Sequence, residues 1–131
     1  MRAIIVDDEQ IILRSFMRLS KGISNLNVIA QFENPEEALL FVQENAVELA
    51  FLDIKMPGMN GIELAVKIRE ICPSILIVFI SAYDEYIRDS NLIGGDYYIV
   101  KPYKKETIEM MMQKMQILSK SLHKEIYIQM F

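Results

Sequence analysis

Five polar positions carry the chemistry for which this sequence can be read. Asp7 and Asp8 close the apolar run Ile4-Ile5-Val6, and Asp53 closes Leu49–Leu52. Ser81 follows Phe79-Ile80, and Lys101 follows Tyr98-Ile99-Val100. Each stands at the C-terminal end of a strand-like segment. If the first and third segments are neighbours in space, three carboxylates from distant parts of the chain meet at one point. Such carboxylates repel one another, and burial raises their pKa values unless a cation stabilises the charged forms. A hard cation with oxygen ligands suits them, and Mg²⁺ keeps several waters and binds through few protein carboxylates. A carboxylate held beside Mg²⁺ can attack a phosphoryl group and become an aspartyl phosphate. Asp53, flanked by Leu52 and Ile54 at a rigid strand end, suits that role. Lys101 would offer a compact positive charge to the new phosphoryl oxygens, and Ser81 a hydroxyl donor. Taken singly, each residue also reads as a turn, a cap or a surface charge. The joint pattern at successive strand ends is the argument for a site.

These residues must be positioned by regular elements. Arg2–Val6, Asn27–Phe32, Leu49–Leu52, Ser74–Ile80 and Tyr97–Val100 read as strands. Helical spacing recurs between them, first in Ile12, Phe16, Leu19 and Ile23. Asn34-Pro35-Glu36-Glu37 is a helix start, with Asn as cap and Pro at the first helical position. Ala38, Leu39, Val42 and Ala46 form the stripe behind it. A loop, Lys55-Met56-Pro57-Gly58-Met59-Asn60-Gly61, leads into Leu64, Ala65, Ile68 and Cys72. Asp84–Gly94 is a weakly patterned helix. Lys104–Leu122 is a long one, with Ile108, Met111, Met112, Met115, Leu118 and Leu122 on its stripe. The methionines of residues 110–115 read as a soft packing face. Ser74–Ile80 is the most apolar strand, as expected of a central strand buried on both faces. Successive βα units with right-handed crossovers predict an α/β fold. It is a doubly wound five-stranded parallel sheet of flavodoxin-like order 2-1-3-4-5, with helices on both faces. That order makes strands one and three neighbours, and ligands bind at the carboxyl ends of such strands.

Composition narrows the classes further. The chain has 131 residues, the length of one domain. A content of 52% hydrophobic and 24% charged residues argues against long disorder. Cys72 and His123 are the single cysteine and histidine, which excludes an intramolecular disulfide, a cysteine zinc cluster and a multi-histidine metal site. The apolar start is too short for a signal peptide or a membrane span, so a cytoplasmic, non-membrane protein is expected. The net charge of −4 is uneven: residues 1–100 carry 8 basic and 15 acidic side chains, and residues 101–131 carry 6 and 3. An acidic body disfavours nonspecific binding to nucleic-acid phosphates. Neither GxGxxG nor GxxxxGK[ST] occurs, which argues against a dinucleotide or P-loop site.

Over residues 1–122 the sequence resembles the receiver domain of bacterial two-component response regulators. The matching segments are Ile4–Glu9, Leu52–Leu64, Phe79–Tyr83 and Tyr98–Tyr103. The resemblance implies that Asp53 is the phosphoacceptor for a sensor histidine kinase. Asp8 and Asp53 would bind Mg²⁺ directly, with Asp7 helping through water and the Lys55 backbone carbonyl completing the shell. Ser81, Lys101 and the backbone N–H of Ala82 would hold the phosphoryl oxygens. Tyr98 matches the switch aromatic, which turns inward when the Ser81 hydroxyl moves toward the phosphate. A cis Lys101–Pro102 bond is typical of similar proteins. So is a homodimer through the fourth helix, fifth strand and fifth helix, here including Arg88, Asp89, Asp96, Lys104, Lys105 and Glu109.

Several positions depart from the common pattern. Ser81 stands for the more frequent threonine and keeps the hydroxyl; Gly95 stands for alanine, and Tyr97 for an aspartate. Lys55 and Tyr83 occupy two variable positions that tune phosphate lifetime in similar proteins. Glu125–Phe131 alternates like a sixth strand. Residues 123–131 therefore read as a tail, or as the first strand of a truncated output domain of the winged-helix type. On that reading the intact protein binds DNA through an output domain absent here. A stand-alone receiver acting in phosphorelay or protein docking is the alternative. A Mg²⁺-dependent aspartyl-phosphate hydrolase is disfavoured, because Lys55 stands where a general acid would be expected.

Overall fold

The structure, a computed structural model, describes residues 1–82 and 95–129, the last nine of these by backbone alone. The elements in chain order are β1 (Arg2–Val6), α1 (Gln10–Ser20), β2 (Asn27–Phe32), α2 (Pro35–Glu44) and β3 (Leu49–Asp53). They continue with α3 (Gly61–Ile71), β4 (Leu76–Ser81), β5 (Tyr97–Val100) and α4 (Lys105–Gln129). The strands form one parallel sheet of order β2-β1-β3-β4-β5, as the alternation of elements predicts.

Every residue of β3 and β4 is buried, which is why both read as continuous apolar runs. Their side chains alternate between two cores with a period of two. Leu49, Phe51, Val78 and Ile80 join Phe16 of α1 and Ile108, Met111 and Met115 of α4 on one face. Ala50, Leu52, Ile77 and Phe79 join Val42 of α2 and Leu64 and Ile68 of α3 on the other. Burying one such side chain stabilises by about 1.5–3 kcal/mol. The centre of the sheet is therefore a rigid base for the loops at its carboxyl edge.

The cap signals for α2 hold, although Ala46 of its expected stripe lies past the helix end and is exposed. The Asn34 side chain accepts from the Glu36 and Glu37 N–H groups at 2.8 and 3.3 Å, and Pro35 opens the helix. Other details also differ from expectation. The buried face of α1 is Leu13, Phe16 and Ser20, with Ile12 and Leu19 only half-buried. The expected stripe is thus turned by one residue. β4 begins at Leu76, because the Ile75 N–H donates to the Cys72 carbonyl and closes a turn over Pro73 and Ser74. α4 runs through the segment whose alternation suggests a strand, up to Gln129. A strand there would need a neighbour for its N–H and C=O groups, whereas a helix pairs them internally. The predicted helix Asp84–Gly94, with Tyr83, Arg88 and Asp89, lies outside the described residues, as do Met130 and Phe131.

Candidate functional site

The β1–β3 pairing sets Val6 opposite Leu52, so Asp7 and Asp53 leave the sheet at the same level. The Asp7 N–H donates to the Phe32 carbonyl at 3.0 Å, and its Oδ1 accepts from the Glu9 N–H at 2.9 Å. Its carboxylate is thereby fixed, and the residue has no exposed surface. Asp53 pairs with Ile80 of β4 and is 5% exposed. Asp8 is exposed. One oxygen from each of Asp7, Asp8 and Asp53 lies within 4.8 Å of the other two. The convergence expected from the strand order is therefore present.

Lys101 reaches the cluster from the end of β5. Its N–H donates to the Ser81 carbonyl at 2.8 Å, which ties the loop to β4. Its Nζ donates to Asp7 Oδ2 at 3.0 Å and to Asp53 Oδ1 at 3.4 Å. The Lys101–Pro102 peptide is cis. Ser81 is the last residue of β4 and is buried. A cleft of about 530 Å³ opens over these groups, and Asp8, Asp53, Lys55, Met56, Ala82 and Lys101 line it. Lys55 and Ala82 are both exposed there.

The electrostatics show what the cluster lacks. The Asp53 carboxyl is raised from 3.8 to about 7. Burial is the largest cause and the charge of Asp7 the next; Lys101 opposes both without prevailing. Lys101 is itself pushed above its ordinary value. Burial works against its charge, but the hydrogen bond to Asp7 and the charges of Asp53 and Asp7 outweigh it. The Lys101 ammonium thus only partly compensates the buried Asp53 carboxyl. A divalent cation with oxygen ligands would complete the compensation, and the donor set fits Mg²⁺. Tyr103 packs edge-on against Phe16, with ring centroids 6.3 Å apart. Burial, with the charges of Asp7 and Asp53, pushes its phenol well above its ordinary value.

Tyr98 is half-buried and packs against the core formed with α2 and α3, its ring 6.1 Å from that of Tyr97. Tyr97, where an aspartate is the common residue, lies under Lys114 of α4, whose Nζ is 4.9 Å from the ring centroid. Asp96, a residue of the expected dimer surface, is half-buried and engaged within the domain. Its carboxylate accepts from the Ile77 N–H at 2.8 Å and pairs with Arg69 of α3. The first N–H of β4 on that side needs an acceptor, and Asp96 supplies it. Lys104 and Glu109 are exposed, and Lys105 is half-buried.

Gly61 is a supporting residue to which the sequence reading gave no role. A Cβ there would lie 2.2 Å from the Asp53 carbonyl oxygen, and the Gly61 N–H donates to the Ile54 carbonyl at 2.9 Å. α3 can therefore start against the back of Asp53 only with glycine in that place. The signal was the Asn60-Gly61 pair, in which Asn60 caps the Glu63 N–H at 2.9 Å.

Residues 3–113 match the response regulator receiver domain. The chain belongs to that family. It is a receiver domain of the two-component response regulators. It is 34% identical over 116 residues to the transcriptional regulatory protein YpdB of Escherichia coli K12, across 88% of this chain and 48% of that protein. It is 32% identical over 114 residues to the transcriptional regulatory protein LytR of Staphylococcus aureus N315, across 87% of this chain and 46% of that one. Among solved structures, the response regulatory domain of MrkE from Klebsiella pneumoniae superposes with a TM-score of 0.82 at 31% identity. That match covers 92% of this chain and 99% of the other. The REC domain of AraT, a response regulator from Geobacillus stearothermophilus, gives 0.78 at 29% identity, covering 95% and 96%. The receiver spans about half the length of the curated relatives that it matches. Receiver domains bind Mg²⁺ at an acidic pocket, and the Asp7–Asp8–Asp53 cluster is an acidic pocket of that kind. Among the described residues, no helix is long and apolar enough to cross a membrane.

Proposed function

We propose that Asp53 accepts a phosphoryl group from a histidine kinase, and that this switches an output carried outside this receiver. The observation that carries the reading is the crowding of three carboxylates within 4.8 Å, with Lys101 Nζ on two of them. Asp8 and Asp53 would hold Mg²⁺, with Asp7 assisting and the Lys55 carbonyl completing the set. Bound there, Mg²⁺ would neutralise charge on the transferring group. An oxygen of Asp53 attacks the phosphorus of a phosphohistidine; the P–O bond forms as the P–N bond breaks. The electron pair returns to the imidazole nitrogen, which takes up a proton. Lys101, Ser81 and the Ala82 N–H hold the phosphoryl oxygens. The added charge of about −2 draws the Ser81 hydroxyl inward and lets Tyr98 change its packing.

The receiver acts in this reading as a signalling acceptor, in the cytoplasm, rather than as a turnover enzyme. Residues 123–131 lead toward an output domain, and transcription is regulated through DNA binding by that domain. This follows the names of the relatives, transcriptional regulatory proteins of about twice the length. A homodimer through the 84–94 segment, β5 and α4 would use Lys104 and Glu109, which are exposed.

The test is phosphorylation by acetyl phosphate with Mg²⁺, read by mass spectrometry. The wild type should gain one phosphoryl group, and Asp53→Ala, shown folded by circular dichroism, none. Labelling of that variant at another carboxylate would sink the assignment.

A further inference from the structure

Lys101 touches Asp7 and Asp53 only if β5 sits in one register, and β5 is poorly equipped to hold it. It has four residues, stands at the end of the strand order and, among the described residues, pairs with β4 alone. Slippage by one residue would carry Lys101 about 3.3 Å along the sheet and turn the strand's side chains to the opposite face, away from the contact with Asp7. The pairing runs from Val78 opposite Tyr97 to Ser81 opposite Val100. Asp96 closes it at the far end with two bonds. Its N–H donates to the Ile77 carbonyl at 2.9 Å, and its Oδ2 accepts from the Ile77 N–H at 2.8 Å. The side chain thus takes the acceptor place that a main-chain carbonyl would fill in a longer ladder. Arg69 of α3 pairs with the same oxygen. Its Nε is buried with no partner among the described residues, so Asp96 is the acceptor that holds the guanidinium there.

We infer that Asp96, neutralised by Arg69, is a positioning residue for Lys101. It fixes the β4–β5 register at the end of the strand opposite the site, about 16 Å away for five residues of extended chain. The inference rests on the phosphoacceptor reading above. It gives Asp96, expected only as part of a dimer surface, a role within the domain's own edge.

The test compares Asp96→Ala, which has no acceptor for the Ile77 N–H, with Asp96→Asn, which keeps one. Amide hydrogen exchange is read at Lys101, whose N–H is bonded to Ser81, and across β1 and β3. Phosphorylation by acetyl phosphate is read alongside. In Asp96→Ala the Lys101 amide should exchange on the order of 10-fold faster relative to β1 and β3, as the hydrogen bond from the Ile77 N–H loses its acceptor. Phosphorylation at Asp53 should slow by a similar factor. Asp96→Asn should stay within about 2-fold of wild type in both, the conservative rescue that lost charge alone would not give. If Asp96→Ala does not fold, Asp96→Glu serves instead, because its longer carboxylate misses the Ile77 N–H. Equal exchange changes at Lys101 and in β1 and β3 would overturn the inference, as would wild-type phosphorylation despite faster local exchange. A wild type that takes no phosphate at Asp53 would instead overturn the phosphoacceptor reading, while the exchange comparison would still test the register.

Discussion

The substitution Asp53→Asn should stabilise the metal-free receiver at neutral and alkaline pH and leave it nearly unchanged at pH 4. The folded domain holds the Asp53 carboxyl at about 7, against an ordinary 3.8. Between those values the folded state keeps a proton that the unfolded chain has released. Wild-type stability therefore falls as pH rises from about 4 to about 7 and levels off above it. The upper limit of the effect is about 4 kcal/mol, at 1.36 kcal/mol per pKa unit. The carboxyl opens on a solvent-accessible cleft, and screening there reduces the expected gain to about 2 kcal/mol. Asparagine keeps an oxygen acceptor for the Lys101 ammonium and removes the repulsion with Asp7. Lys101 adds no slope in this window. Its raised pKa gives stability that is present below about 10.5 and lost only above it. For a chain of this size about 2 kcal/mol corresponds to roughly 6–10 °C in Tm. The assay is thermal unfolding by circular dichroism in EDTA, from pH 4.5 to 8, for both proteins. The difference between them is the readout, because the other titrating groups cancel. Saturating Mg²⁺ should raise the wild-type Tm more than that of the variant, as a ligand bound only by the native state does. A variant no more stable than wild type at pH 8, or a difference independent of pH, would refute the reasoning.

The same structure supports three further expectations. Gly61→Ala should lose about 3 kcal/mol or more in urea unfolding, because the new Cβ meets the Asp53 backbone rather than a movable side chain; a loss below about 0.5 kcal/mol, the size of an ordinary surface change, would contradict the close approach. Lys101→Met should bind Mg²⁺ more tightly by calorimetry at pH 8, on the order of tenfold, since it removes a cation that competes for Asp7 and Asp53. It should also take up phosphate more slowly, and weaker metal binding would count against the competition. Asn34→Ala should cost about 1 kcal/mol through the lost cap of α2, with the phosphorylation rate unchanged.

What the sequence could show depended on how local the cause was. The strand order was legible because βα alternation and crossover handedness leave few topologies. The cap of α2 was legible because Asn34, Pro35 and the two glutamates act within one turn. The site was legible because Asp7, Asp8, Asp53, Ser81 and Lys101 each end a strand, so the topology alone gathers them. The features that escaped depend on contacts between elements. Asp96 reads as a surface acid until β4 places the Ile77 N–H and α3 places Arg69 against it. Gly61 reads as a loop residue until the back of Asp53 is packed on it. The α4 boundary escaped for a different reason. The Glu125–Gln129 alternation carries both periods, and without a partner strand the helix is the form that satisfies the backbone.

The acid cluster gains its use from being poorly satisfied. Most of the sheet is apolar on both faces, and that burial holds β1, β3 and β4 in place whatever happens at their carboxyl edge. The same rigidity prevents Asp7 and Asp53 from moving apart to relieve their repulsion. Lys101 then stands as a resident counter-ion on a four-residue edge strand, the part of the sheet with the fewest bonds to lose. On the proposed phosphoacceptor reading, a cation at the cluster or a phosphoryl group on Asp53 would change which oxygens Lys101 satisfies, and β5 would be the element to respond. On this argument the signal enters through charge compensation at a rigid centre and leaves through the weakest strand. If Asp96 positions Lys101 as inferred above, the bonds between Asp96 and Ile77 would be the limit on how far that strand moves.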